Sequence, residues 1–182
     1  MCEDCILAKN LAMSHLEKYI NAIPDFPKNG IVFRDISPLF RDHFVELIDA
    51  LAKVFSKEEM AQIDYIAGIE ARGFAVGSAL AYRLGKGFIP IRKKGKLPPK
   101  VERINYDLEY GQDALEMHFG NGKILLVDDV LATGGTLKAA AQLCEMTGHE
   151  IKGMLCILDL AYLNDFEYKN VPVRSLITFN NP

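Results

Sequence analysis

Ten consecutive residues, Val127-Asp-Asp-Val-Leu-Ala-Thr-Gly-Gly-Thr136, combine groups suited to one kind of ligand. Gly134 and Gly135 permit backbone angles that turn successive N–H groups into one concavity. Thr133 and Thr136 add hydroxyls, and a helix starting here presents its positive end. The run Ala132-Thr133-Gly134-Gly135-Thr136 is therefore a candidate receptor for a phosphate dianion. It lacks the Gly-Lys-Ser/Thr of a triphosphate loop and the GxGxxG of a dinucleotide site, so a single phosphate monoester is the fitting occupant. Before it stand Asp128 and Asp129. A carboxylate accepts two hydroxyl hydrogen bonds at once, which suits a vicinal diol. Adjacent strand residues point to opposite faces, so the strand is expected to close at Val127, with both acids turning towards the ligand. A ribose 5-phosphate would satisfy acids and turn together.

A second group is cationic. Arg92, Lys93, Lys94, Lys96, Lys100 and Arg103 crowd one short stretch, and Arg72 stands apart beside Gly73. A charge run is usually a solvated face, but Gly95 and Pro98-Pro99 favour a mobile loop able to close over a ligand. The whole chain carries a net charge of −3 with signs interspersed, which argues against a nucleic-acid coat protein. Cys2-x-x-Cys5 has zinc-ligand spacing, yet Cys144 and Cys156 lie too far apart to supply a second pair, so ordinary reduced thiols are expected. The N-terminus is acidic where a signal peptide would be basic. Apolar runs such as Ile124–Val127 fall far below the ~20 residues that span a bilayer. A soluble, cytoplasmic protein without membrane or nucleic-acid partners is expected.

The elements that must position these groups follow from periodicity. At 182 residues and 49% hydrophobic, residues 1–182 make one domain with one well-filled core. Apolar spacing predicts a helix from Ile6 to Ile23 ended by Pro24, turn chemistry over residues 25–30, and a helix from Phe44 to Phe55. Strands are expected at 65–69, 88–91, 123–127, 151–158 and 173–177, with helices at 74–84 and 136–147. Repeated strand–turn–helix units require crossovers. The fold class is therefore α/β, a mainly parallel twisted sheet with helices on both faces. Ligands in such sheets sit beyond the carboxyl ends of the strands, where the stretches around Arg72, Lys94 and Thr133 all fall. Two features depart from the alternation: a hood segment over about residues 24–40, and a small antiparallel excursion with a flexible loop over about 93–111.

The run Leu125–Thr136 resembles the phosphoribosyl-pyrophosphate signature of type I phosphoribosyltransferases. Asp25-Phe-Pro with Phe33-Arg-Asp-Ile-Ser-Pro38, Ile91-Arg-Lys-Lys-Gly-Lys-Leu-Pro98 and Tyr106-Asp-Leu-Glu-Tyr-Gly111 resemble its adenine-specific branch. The resemblance runs from about residue 16 to 178. It implies transfer of a phosphoribosyl group to adenine, giving AMP and pyrophosphate, in a homodimer using Mg²⁺ held mostly by substrate oxygens and water, without confident direct ligation by protein. It gives Arg72 to pyrophosphate, in a loop with a cis peptide that would fall at Glu70–Ala71, and adds Lys96, with Arg92 acting across the dimer interface. Val32 and Arg34 would read the adenine edge through backbone groups, while Phe33 and Val130 pack its faces. Glu109 would manage the purine proton and Tyr106 would serve the lid. Two rivals remain in view. A nucleotide sensor on the same fold would keep the phosphate turn and add a basic surface; Lys96, Tyr106, Glu109 and the net acidity favour the enzyme. A 6-oxopurine enzyme would need a lysine beyond the phosphate helix, and Lys152 sits at the wrong end of its strand.

Overall fold

The computed structural model describes residues 15–108 and 111–182. Nine strands are seen among these: β1 Asn21–Pro24, β2 Val32–Asp35, β3 Tyr65–Ile69, β4 Gly87–Lys93, β5 Val101–Leu108, β6 Gly111–His118, β7 Gly122–Leu131, β8 His149–Leu160 and β9 Val173–Phe179. The helices are α1 Ser37–Asp42, α2 Phe44–Leu51, α3 Lys57–Ala61, α4 Arg72–Leu84 and α5 Gly135–Met146. Seven strands form one sheet in the order β5-β6-β4-β3-β7-β8-β9. β4, β3, β7, β8 and β9 run parallel. The β5–β6 hairpin joins antiparallel at the β4 edge. The expected α/β architecture and its antiparallel excursion are both present.

Strand periodicity divides the core between the two faces of the sheet. Leu125 and Val127 of β7 pack with Leu155, with Val76 and Leu80 of α4, and with Leu47 and Leu51 of α2. Their neighbours Ile124 and Leu126 face the other way, onto Leu137, Ala140 and Leu143 of α5 and Leu115 and Met117 of β6. Cys144 and Cys156 are free and buried in this second layer. Burial pushes the Cys144 thiol up to about 12, so it packs as a small apolar group. Cys2 and Cys5 lie outside the described residues.

Several expected boundaries move, among them the helix begun at Phe44, which ends at Leu51 instead of Phe55; two changes bear on the site. Helical geometry ends at Glu17 instead of Ile23, and Asn21–Pro24 becomes β1, paired antiparallel with β2 through Ala22↔Arg34 and Ile23↔Phe33. Apolar residues at 16, 20 and 23 suit a helix locally, but pairing with β2 overrides that preference. Residues 6–14 of the expected helix lie outside the described ones. The second change concerns β7, which continues through both acids to Leu131 instead of closing at Val127. Ladder pairing with β8 continues past the first acid, with Asp128 opposite Cys156 and Val130 opposite Leu158.

The start of α4 is held close to the sheet by the absence of side chains. A Cβ on Gly68 would lie 2.6 Å from the Gly73 carbonyl oxygen and 2.9 Å from the Phe88 ring. Neither the backbone of α4 nor a packed ring yields easily, so Gly68→Ala must push the first turn of α4 off β3. The expected loss is about 1–3 kcal/mol, as for other overpacked cores, read from urea denaturation. A variant as stable as the parent would contradict this account of the packing.

Candidate active site

Three loops at the carboxyl edge of the parallel strands carry the polar groups. β3 leads through Glu70 and Ala71 into α4, whose first residue is Arg72. The Glu70–Ala71 peptide is cis, as the resemblance implied. The Arg72 guanidinium lies 2.7 Å from Asp129 Oδ2. Asp128 and Asp129 are each only 9% exposed. Asp128 Oδ1 accepts the Asp129 N–H at 2.9 Å. Asp129 pairs with Arg72, while Asp128 Oδ1 lies close to Gly73 at the start of α4, and Asp128 is within charge range of both Arg72 and Tyr106. Burial and then the Asp129 charge push the Asp128 carboxyl well above the usual carboxylate range, with Arg72 opposing them.

β7 then passes into the glycine turn. Gly134 caps α5 at φ 83°, a left-handed conformation, and a Cβ there would lie 2.4 Å from the Phe166 ring. Conformation and space both demand glycine. The first N–H groups of α5 have no carbonyl a turn earlier to accept them. They open on a small concavity lined by residues 130–137, Thr133 and Thr136 among them. The sequence-predicted phosphate residues Ala132 to Thr136 are thus together, next to Asp128 and Asp129.

The basic stretch separates into distinct roles. Lys93 Nζ pairs with Asp113 at 3.0 Å and Arg103 with Glu116 at 2.9 Å, so both are balanced internally. Arg92 Nε and Lys96 Nζ lie 3.3 and 3.5 Å from the two oxygens of Glu70. Glu70 also accepts the Lys93 N–H at 3.0 Å. Burial would raise the Glu70 pKa, but these donors and cations outweigh it and lower the value. Tyr106 is half-buried beside Thr136 and Asp113, and burial raises its phenol. Glu109 lies outside the described residues. Glu70 and Glu116 were missed by sequence reasoning. Glu116 alternates with Leu115 and Met117, so the strand pattern placed it in solvent.

The hood reaches the same edge. Arg34 of β2 stacks its guanidinium 4.2 Å from the centroid of Phe179, the last residue of β9. The next residue, Asp35, accepts from Ser37 N and Oγ at 2.9 and 2.6 Å. Those two hydrogen bonds lower the Asp35 pKa, with a smaller contribution from Arg72. Phe33 packs edge-on to Phe26 with centroids 5.2 Å apart. Val130 is half-buried and lines the concavity. Among the described residues no group of three or more His, Cys, Asp or Glu side chains is placed to hold a metal. No helix there is long and apolar enough to cross a membrane.

Residues 41–171 match the family model described as phosphoribosyl transferase domain. A relative from Hydrogenovibrio crunogenus named adenine phosphoribosyltransferase is 52% identical over 167 residues, covering 91% of this chain and 97% of its own. The chain belongs to the adenine phosphoribosyltransferase family. Solved adenine phosphoribosyltransferases agree in fold. That from Thermoanaerobacter pseudethanolicus is 42% identical at a TM-score of 0.84, covering 92% of this chain and 99% of that one. The Saccharomyces cerevisiae adenine phosphoribosyltransferase, solved with an imino-altritol bisphosphate and adenine, is 36% identical at 0.85, covering 92% and 99%.

The Asp128 environment yields a pH-dependent expectation. An acid whose folded pKa is raised costs the fold stability as pH climbs from its ordinary value, ~4, towards the raised one, and costs nothing below the ordinary value. Asp128→Asn keeps an oxygen acceptor for the Asp129 N–H and removes the charge. At pH 7 the ligand-free variant should be more stable than the parent by about 1 kcal/mol. The gain should vanish near pH 4, as read from urea melts at both pH values. A variant destabilised at both would contradict the reading.

Proposed function

We propose that this protein transfers the 5-phosphoribosyl group of phosphoribosyl pyrophosphate to adenine, giving AMP and pyrophosphate in purine salvage. The observation that carries the reading is the junction of the Thr133–Thr136 turn with two nearly buried acids, one of them paired to Arg72. The 5-phosphate sits in the turn, where N–H groups and helix polarity meet it. The ribose hydroxyls meet Asp128 and Asp129, so Asp129 exchanges part of its pairing with Arg72 for hydroxyl hydrogen bonds.

As the bond from the anomeric carbon to pyrophosphate breaks, its electron pair leaves with pyrophosphate and positive charge spreads to the ring oxygen. Arg72, Lys96 and Arg92 stabilise the leaving anion. Asp128 and Asp129, as hard oxygen donors, would hold Mg²⁺ through its bound water, and the ion would supply charge neutralisation for the diphosphate. Tyr106 and its loop keep water from the electron-poor carbon. Adenine N9 forms the new bond and loses its proton to Glu109. The backbone of Val32 and Arg34 reads the donor at N6 and acceptor at N1, with Phe33 and Val130 on the ring faces. The placement of Arg34 over Phe179 supports this hood role.

One domain, with hood and lid as appendages, works as a cytoplasmic homodimer. Val45 and Tyr82, 75% and 90% exposed on α2 and α4, support a protein-covered face there, and Arg92 acts across the interface.

With phosphoribosyl pyrophosphate and Mg²⁺, the protein should consume adenine and leave hypoxanthine and guanine nearly untouched, as followed by product chromatography. Equal use of all three would overturn the base assignment. Glu109→Ala should lower turnover by about 10²–10⁴ and leave AMP affinity, measured by calorimetry, close to the parent's. Loss of AMP binding would instead give Glu109 a structural part.

A further inference from the structure

Glu116 is fully buried at 0% exposure, an unfavourable place for a carboxylate unless donors surround it. They do. Oε1 accepts the N–H groups of Lys96 at 2.6 Å and Leu97 at 2.7 Å. The Gly95 N–H is also directed at this carboxylate, and Arg103 Nη2 reaches Oε2 at 2.9 Å. Three successive backbone N–H groups converging on one anion form a nest, with Gly95 at φ 81° providing its left-handed residue. The anion is a side chain of the same protein, so the turn is shaped before any substrate arrives.

The consequence falls on Lys96. Its N–H is held by Glu116, its carbonyl oxygen accepts from Arg92 Nη1 at 3.0 Å, and its ammonium lies 3.5 Å from Glu70. Fixing the backbone leaves only side-chain torsions free, which reduces the ordering needed when an anion binds. Arg103 balances the Glu116 charge, so the internal anion does not repel an incoming diphosphate. A simple hairpin strut would not require a charged acceptor aimed at the lysine's own amide.

We propose that Glu116 is a positioning residue for the pyrophosphate half of the site, acting through the 95–97 turn to set Lys96. This rests on the function proposed above. The test is steady-state kinetics on E116Q, E116A, K96A, the E116Q/K96A double variant and G95A. E116Q should raise KM for phosphoribosyl pyrophosphate about tenfold, change kcat less, and leave the Kd of AMP, which lacks pyrophosphate, unchanged. E116A should be worse than E116Q, which keeps one oxygen acceptor. In the K96A background E116Q should add little, because residues acting as a unit are not additive. G95A disturbs the turn from the backbone side, and its Cβ would meet nothing within 4 Å; it should shift KM in the same direction even if the Glu116 variants fail to fold. An unchanged KM in folded E116Q, equal weakening of AMP and phosphoribosyl pyrophosphate, additivity with K96A, or an unaffected G95A would each overturn the proposal. A parent protein that turns over no adenine would sink the function itself, whereas an active parent with an indifferent E116Q sinks only the role of Glu116.

Discussion

Asp128 and Asp129 carry like charges on neighbouring residues, and burial strengthens their repulsion because the interior screens it poorly. Arg72 offsets one of them at 2.7 Å, and the Asp129 N–H gives the other a hydrogen bond. Much of the surrounding architecture can be understood as holding this costly arrangement in place. β7 runs through both acids, and the missing side chains at Gly68 and Gly73 let α4 bring Arg72 close enough. The same unfavourable electrostatics that weaken the empty protein leave strong acceptors for sugar hydroxyls.

The second principle is the sorting of cations. A net charge of −3 is compatible with a highly charged anionic substrate because only some of the local positive charge is left for it. Asp113 and Glu116 neutralise Lys93 and Arg103, which are thereby committed to the hairpin. Arg92 and Lys96 instead share Glu70, at 3.3 and 3.5 Å, longer than the Arg72 contact. Glu70 engages both loosely, so a diphosphate can compete for each of them: Lys96 in its own site and Arg92, as proposed above, across the dimer interface.

What was legible in the sequence was what is local. The phosphate turn could be read because its glycines, threonines and acids are contiguous and each needs the others to make chemical sense. The parallel sheet could be read because apolar blocks alternate with helical spacing. Glu116 could not, since a glutamate between Leu115 and Met117 is indistinguishable from a solvated one until β5 and β4 flank it and the 95–97 turn folds over it. The hood strands were hidden for a related reason: four-residue β1 and β2 carry little pattern of their own, and the apolar spacing before Pro24 imitates a helix. Nothing in the sequence marks Glu70, whose hold on Arg92 and Lys96 spans 22 residues or more.

The site's chemistry depends on where a nucleotide's phosphate and sugar lie. A crystal structure with AMP tests that most directly. The phosphate should accept backbone N–H groups of the Thr133–Thr136 turn, with the ribose hydroxyls on Asp128 and Asp129. A nucleotide bound elsewhere, or acids still turned away from the sugar, would contradict it.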